Sequence, residues 1–206
     1  MATIIAGSVA LYDRFLAALR PLDGLPPLLL RLYLAPVFMQ AGWNKLANFD
    51  NTAAWFGNPD WGLGLPLPGL MAALAGAAEL VGGALLVLGL GTRLIAIPLA
   101  VTMLVAIFAV HWENGWLAIS DASSWLANQR VEEAAARKAM AIEILQEYGN
   151  YAWLTARGSI TILNNGIEFA VTYLIMVLSL LATGGGRFTS MDYWLGARRP
   201  AAAEGR

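Results

Sequence analysis

The pattern of apolar and polar positions predicts helices long enough to cross a membrane. Each of four apolar stretches is about twenty residues long, which at ~1.5 Å per residue is enough to cross a ~30 Å hydrocarbon core. The predicted spans lie at about residues 26–46, 67–90, 94–116 and 164–184. The sequence therefore predicts an all-α integral membrane protein whose four transmembrane helices form a bundle.

The longest polar stretch, residues 117–163, separates the third predicted span from the fourth. Residues 124–148 within it have helical spacing, with charged residues surrounding a weak apolar stripe. The stripe consists of Val131, Ala135, Ile142, Leu145 and Gly149. A stripe this short cannot form a span, so we expect an amphipathic helix that caps the bundle or lies on the membrane.

The composition agrees with a membrane protein and excludes several kinds of site. The chain of 206 residues is 58% hydrophobic and 13% charged, whereas soluble domains carry about 25% charged residues. Its length fits one domain over residues 1–206, and its net charge of −1 gives no indication of nucleic-acid binding. The absence of cysteine excludes disulfides, thiolate metal sites and Fe–S clusters, and the single histidine, His111, excludes a bis-histidine haem. We predict no metal site; only His/Met haem ligation stays formally open.

Basic residues at the ends of the spans predict the orientation in the membrane. With four spans, both termini lie on the same side. That side would hold Arg14, Arg20, Arg93, Arg187, Arg198, Arg199 and Arg206. The positive-inside rule then places both termini in the cytoplasm of a bacterial inner membrane and residues 117–163 outside it.

A carboxylate in the second span is the first candidate for chemistry. Glu79 shares a helical face with Ala72, Gly76 and Gly83, and small residues let another helix approach closely. We therefore expect Glu79 to face protein and, since Arg31 lies at a similar predicted depth, to pair with it. Two alternatives stay open: the pair fixes helix register, or it lines a ligand pocket.

A second polar layer lies at the outer ends of the spans. His111 is the side chain suited to proton exchange near neutral pH. The surrounding candidates are Trp43, Asn44, Lys45, Trp112, Glu113, Trp116, Asn164, Asn165 and Glu168. The alternative is that these are interfacial anchors and satisfied polar groups.

Five features in this order resemble the DoxX family of bacterial four-helix membrane proteins. They are Arg31, residues 42–46 (GWNKL), residues 78–83 (AELVGG), residues 88–93 (LGLGTR) and His111. The resemblance covers about residues 25–118. It implies an association with quinone-linked sulfur oxidation or membrane redox complexes.

Three further segments resemble the HvfX-like subgroup, which is encoded beside maturation enzymes for copper-binding ribosomal peptides. They are residues 55–62 (WFGNPDWG), 110–116 (VHWENGW) and 164–169 (NNGIEF). This resemblance implies a quinone-interacting accessory protein that serves maturation of such a peptide. The alternative is a non-catalytic scaffold or export partner for the peptide and its modifying enzymes, and an oligomer is compatible with either.

Under the redox hypothesis each candidate residue has an expected role. His111 exchanges protons, Glu113 or Glu168 orients it, and Lys45 offsets charge on a reduced ligand. The expected cofactor-binding residues are Arg31, Trp43, Asn44, Glu79 and Trp112.

Overall fold

The computed structural model describes residues 12–197, and the elements in this part of the chain are helical. The helices are α1 Tyr12–Leu22, α2 Leu25–Ala47, α3 Phe49–Gly57, α4 Pro68–Leu88, α5 Thr92–Val105, α6 Gln129–Tyr148, α7 Tyr151–Leu154, α8 Glu168–Thr183 and α9 Met191–Ala197. After α5 the chain continues through a π-helix, Ala106–His111, and a 3-10 turn, Trp112–Asn114. The predicted cytoplasmic termini fall on residues 1–11 and 198–206, outside the described residues.

The apolar helices support a multi-pass membrane protein. Two of them, Pro68–Leu88 and Thr92–Asn114, are long and apolar enough to cross a membrane by length and composition. α1 and α2 meet that standard only together, as a pair bent by 42°. α8 is a shorter apolar helix of 16 residues. The bundle of four spans therefore stays a prediction.

The described residues form two compact units. The first unit contains residues 12–100 and 175–197, and the second contains residues 101–174. The first unit thus holds α1 to α4 together with α9, and the second holds α6 and α7. Each unit is described by itself below.

Small residues bring α2 and α4 of the first unit close together. A Cβ atom added at Gly83 would lie 2.8 Å from the carbonyl oxygen of Ala35, and one at Gly42 would lie 2.7 Å from that of Gly76. Side chains at these glycines would therefore push the backbones apart. Ala72, Gly76, Glu79 and Gly83 of α4 are all buried, so the predicted face of small residues around Glu79 is confirmed.

In the second unit, the polar insertion forms α6, as the amphipathic pattern predicts. The helix begins at Gln129, because the side chain of Asn128 accepts a hydrogen bond from the Val131 amide at 3.1 Å and caps it. Residues 124–127 form a turn before the cap, so the helix starts later than predicted. Val131 and Ala134 are its buried residues. Whether α6 caps a bundle stays a prediction.

Candidate functional site

Lys45 and Glu79 form the charged centre of the first unit. The Lys45 ammonium (Nζ) lies 2.6 Å from Oε2 of Glu79. The Glu79 side chain is 4% exposed and that of Lys45 is 27% exposed. An ammonium at this distance neutralises a carboxylate that burial would otherwise penalise heavily. The pair joins α2 to α4 beside the glycines that let them approach.

The predicted Arg31–Glu79 pair is wrong. Arg31 is fully buried and donates hydrogen bonds to the carbonyl oxygens of Leu86 at 2.9 Å, Val87 at 3.2 Å and Thr189 at 2.7 Å. The last carbonyls of a helix have no partner within it, and a cation is favoured at that end. Arg31 therefore caps the carboxyl end of α4, which favours the structural alternative for this residue.

The register of α2 against α4 explains why lysine takes the place expected of arginine. Residue 35 lies opposite residue 83, and residue 42 lies opposite residue 76, so the helices are antiparallel. Arg31 is therefore level with the end of α4, whereas Glu79 lies between Arg31 and Lys45. Helical side chains lean toward the amino terminus of their own helix. In an antiparallel pair this lean carries Lys45 and Glu79 toward each other.

Trp43 and Asn44, predicted to bind a cofactor, lie next to Lys45 in the chain but are turned outward. The Trp43 side chain is 61% exposed. Asn44 is exposed and accepts a hydrogen bond from Gln40 at 2.9 Å. Neither side chain bonds to Lys45 or Glu79 among the described residues. Their assignment to a cofactor stays a prediction.

His111 is half-buried at the end of the π-helix in the second unit. Its Nδ1 lies 2.9 Å from the carbonyl oxygen of Asn165. A carbonyl oxygen only accepts hydrogen bonds, so Nδ1 carries a proton and Nε2 is the basic nitrogen of the neutral ring. Nε2 makes no hydrogen bond within residues 12–197. π-Helical turns occur frequently at functional sites.

A layer of amide hydrogen bonds joins the segment after His111 to the segment before α8. Asn114 donates from its side chain to the Asn165 carbonyl at 3.0 Å. The buried side chain of Asn164 donates to the carbonyls of Asn114 at 2.9 Å and Leu117 at 2.6 Å. Its oxygen accepts from Nε of Arg130 at 3.2 Å. The layer therefore ties the loop of His111 to the first turn of α6.

The prediction that a carboxylate orients His111 is wrong, because the Asn165 carbonyl makes that contact. The Glu168 carboxylate instead accepts a hydrogen bond from the Ala118 amide at 2.9 Å. Glu113 is exposed and makes no hydrogen bond within the described chain. Trp112 is 56% exposed, with its ring centre 5.3 Å from that of Phe108.

Sequence reasoning missed the roles of Asn114, Asn128 and Arg130. Asn128 both caps α6 and donates to the Asn114 carbonyl at 3.2 Å. One signal was available, since an Asn before a helical run is typical of a cap. No signal could have indicated that Arg130 reaches Asn164.

Comparisons with known proteins find similarity over the part of the chain that contains these charged residues and His111. The DoxX family model matches residues 27–112, which include Arg31, Lys45, Glu79 and His111. A protein of Bacillus subtilis (strain 168) named "Putative oxidoreductase CatD" is 35% identical over 83 residues. These are 40% of this chain and 58% of that protein, so the alignment spans little more than half of the relative. No solved structure gives a significant match. The family match covers most of α2 and all of α3, α4 and α5.

Proposed function

We propose that this protein is a membrane redox accessory protein that interacts with a quinone through His111. The DoxX domain and the name of the distant Bacillus relative both suggest a membrane redox-associated role. The observation that carries the proposal is the geometry of His111: Nδ1 is held by the Asn165 carbonyl at 2.9 Å, and Nε2 makes no hydrogen bond within the described residues. Such a ring can accept a proton at Nε2 and return it.

The residues near His111 fit a planar, lipid-soluble ligand. The carbonyl oxygens of a quinone accept hydrogen bonds, and a protonated Nε2 would donate one. Phe108 and Trp112 lie on the same stretch of helix and are 63% and 56% exposed. In a membrane protein, side chains left uncovered by protein offer an apolar path from the bilayer. These features supply both a polar contact and an apolar approach.

A bound quinone would supply two-electron, two-proton chemistry. The electrons would come from a partner oxidoreductase with its own redox cofactor. His111 would hold and transfer a proton at Nε2, while Nδ1–H stays on the Asn165 carbonyl. Lys45 is neutralised by Glu79 at 2.6 Å, so we assign this pair to the DoxX domain's internal charge balance. This replaces the expectation that Lys45 offsets charge on a reduced ligand.

The link to a copper-binding peptide is the finer part of the proposal. It rests on the HvfX-like segments, two of which, residues 110–116 and 164–169, are hydrogen-bonded to each other around His111. The features that resemble the subgroup thus coincide with the candidate site. We propose that the protein serves maturation of such a peptide in the bacterial inner membrane.

Organic extraction of protein purified in mild detergent tests the quinone site. We expect near-stoichiometric quinone in the wild type and a loss of roughly tenfold in His111→Ala, as removal of one hydrogen bond to a charged or polar group predicts. Thr155→Ala is a matched control, because it removes a side-chain bond to a carbonyl oxygen, 2.8 Å long, elsewhere in the second unit. Protein that carries no quinone in any variant would contradict the proposal.

A non-catalytic scaffold or export partner is the second candidate, favoured by a cleft of about 340 Å³ beside α6. Lys138 and Asp121 line it together with alanines of α6. Hydrogen bonds from the hydroxyl and amide of Ser123 lower the pKa of the Asp121 carboxyl, so this group is charged at neutral pH.

Co-purification of modifying enzymes with Lys138→Ala separates this candidate from the redox one. Arg137→Ala is the matched control, because Arg137 pairs with Glu133 and does not line the cleft. Loss of partners with Lys138→Ala alone, with His111→Ala cells behaving as wild type, would favour the scaffold.

A further inference from the structure

We propose that Asn164 and Asn165 are positioning residues that hold the ring of His111 with its proton on Nδ1. The inference rests on the proposed function only in assigning proton exchange to the ring. The geometry itself involves no ligand, because the Asn165 carbonyl faces Nδ1 at 2.9 Å. Fixing the other nitrogen of a histidine decides which one is basic. Nε2 is thereby kept as the nitrogen that exchanges protons.

Asn165 directs its carbonyl at His111 by adopting a left-handed backbone conformation. Its φ is 60°, which few residues other than glycine adopt, with asparagine among the most tolerant. Its carbonyl accepts from both His111 and Asn114, which uses both lone pairs of the oxygen. Gly166 follows, and a Cβ there would lie 2.6 Å from the carbonyl oxygen of Trp116. The Asn-Gly pair therefore lets the two segments meet closely.

Asn164 anchors this turn from inside the second unit. Asn164 is 2% exposed, and its side-chain amide group is hydrogen-bonded to Asn114, Leu117 and Arg130. The backbone amides of residues 164 and 165 both donate to the carbonyl of Ala118, at 3.0 Å and 2.8 Å. A buried amide with these partners fixes the loop, since leaving any of them unpaired is unfavourable. Asn165 is therefore held beside His111 both by the side-chain bonds of Asn164 and by the two backbone bonds to Ala118.

Nitrogen NMR of ¹⁵N-histidine-labelled protein in detergent micelles tests the inference, because His111 is the only histidine of the chain. In mildly alkaline buffer we expect the neutral ring to carry its proton mainly on Nδ1. Asn165→Val should shift the tautomer ratio toward Nε2–H by roughly three- to tenfold, the worth of one hydrogen bond, because a β-branched residue disfavours the left-handed conformation. Asn165→Gly is the matched control, since glycine adopts that conformation readily and keeps the carbonyl.

Two results would overturn the inference: a wild-type ring protonated mainly on Nε2, or a tautomer ratio that is the same in Asn165→Val as in the wild type. If Asn165→Val does not fold, the wild type and Asn164→Leu decide, the latter being expected to shift the ratio in the same direction. The measurement needs no quinone, so its failure differs from that of the proposed function. If the ring is protonated on Nδ1 but organic extraction finds no quinone, this inference is supported and only the proposed function is contradicted.

Discussion

The Lys45–Glu79 pair and the surroundings of His111 are held together by different kinds of interaction. Lys45 and Glu79 are two opposite charges joined by side-chain atoms alone, between helices whose backbones nearly touch at glycines. His111 is held by the Asn165 backbone carbonyl, which also accepts a hydrogen bond from the Asn114 side chain. The first arrangement neutralises a carboxylate that is buried away from water. The second orients a ring and leaves one of its nitrogens without a bond.

This difference teaches what each centre can tolerate. A buried ion pair depends on both members, because a single remaining charge has no solvent to stabilise it. Removal of the His111 ring costs one modest hydrogen bond, because the Asn165 carbonyl still accepts a hydrogen bond from Asn114. We therefore expect the first centre to govern stability and the second to govern chemistry.

The largest effect is expected from breaking the ion pair on one side. Lys45→Met leaves the Glu79 carboxylate buried without its partner and should destabilise the protein by about 3–5 kcal/mol. Unfolding by SDS in mixed micelles measures this change. Lys45→Met/Glu79→Gln should recover most of the loss, because no charge is then left unpaired. A single variant as stable as the wild type would show that the pair carries little energy.

A double-mutant cycle should separate lysine from arginine as the partner of Glu79. We expect the effects of Lys45→Met and Glu79→Gln to differ from additivity by more than about 1 kcal/mol, since the two residues are in contact. Arg31→Met should also destabilise, by about 2–4 kcal/mol, because three carbonyl oxygens each lose a hydrogen bond. Its effect should add to that of Glu79→Gln within about 0.5 kcal/mol. Strong coupling of Arg31 to Glu79 would restore the pair that the sequence suggested.

Much of the helical architecture could be predicted from the sequence, because apolar periodicity is a local property. The second and third spans and the helix of the insertion all follow from it. α3 was not predicted: its residues 49–57 lie between the first and second predicted spans, at about 26–46 and 67–90. Local propensity is weak there, and the tertiary context decides the conformation.

The partners of the charged residues could not be predicted in the same way. Counting depth along each span placed Arg31 beside Glu79, because both helices were measured from assumed membrane edges. The contact between glycine faces sets the true register. The hydrogen bond between His111 and the Asn165 carbonyl could not be predicted for another reason. Every residue has a backbone carbonyl, so no spacing of residue types indicates which one a ring will contact.

A smaller effect on stability is expected at His111. His111→Ala removes one hydrogen bond from a half-buried ring, so the free energy of unfolding should fall by about 1 kcal/mol. The same SDS titration used for Lys45→Met measures it. Bound quinone in the same preparation should fall roughly tenfold. A loss of stability as large as that of Lys45→Met would show that His111, like the ion pair, mainly stabilises the fold.

The smallest energetic effect, and the sharpest test of orientation, comes from single cysteines in a chain that has none. Ala136 is exposed on α6, and Gly196 has open space around it on α9, so a cysteine at either position should leave stability nearly unchanged. If the termini are cytoplasmic, a membrane-impermeant maleimide added to spheroplasts should label Ala136→Cys and leave Gly196→Cys unlabelled. Permeabilised cells should give label at both. Reversed labelling would place α6 in the cytoplasm, so a partner met through the cleft beside α6 would then have to be cytoplasmic.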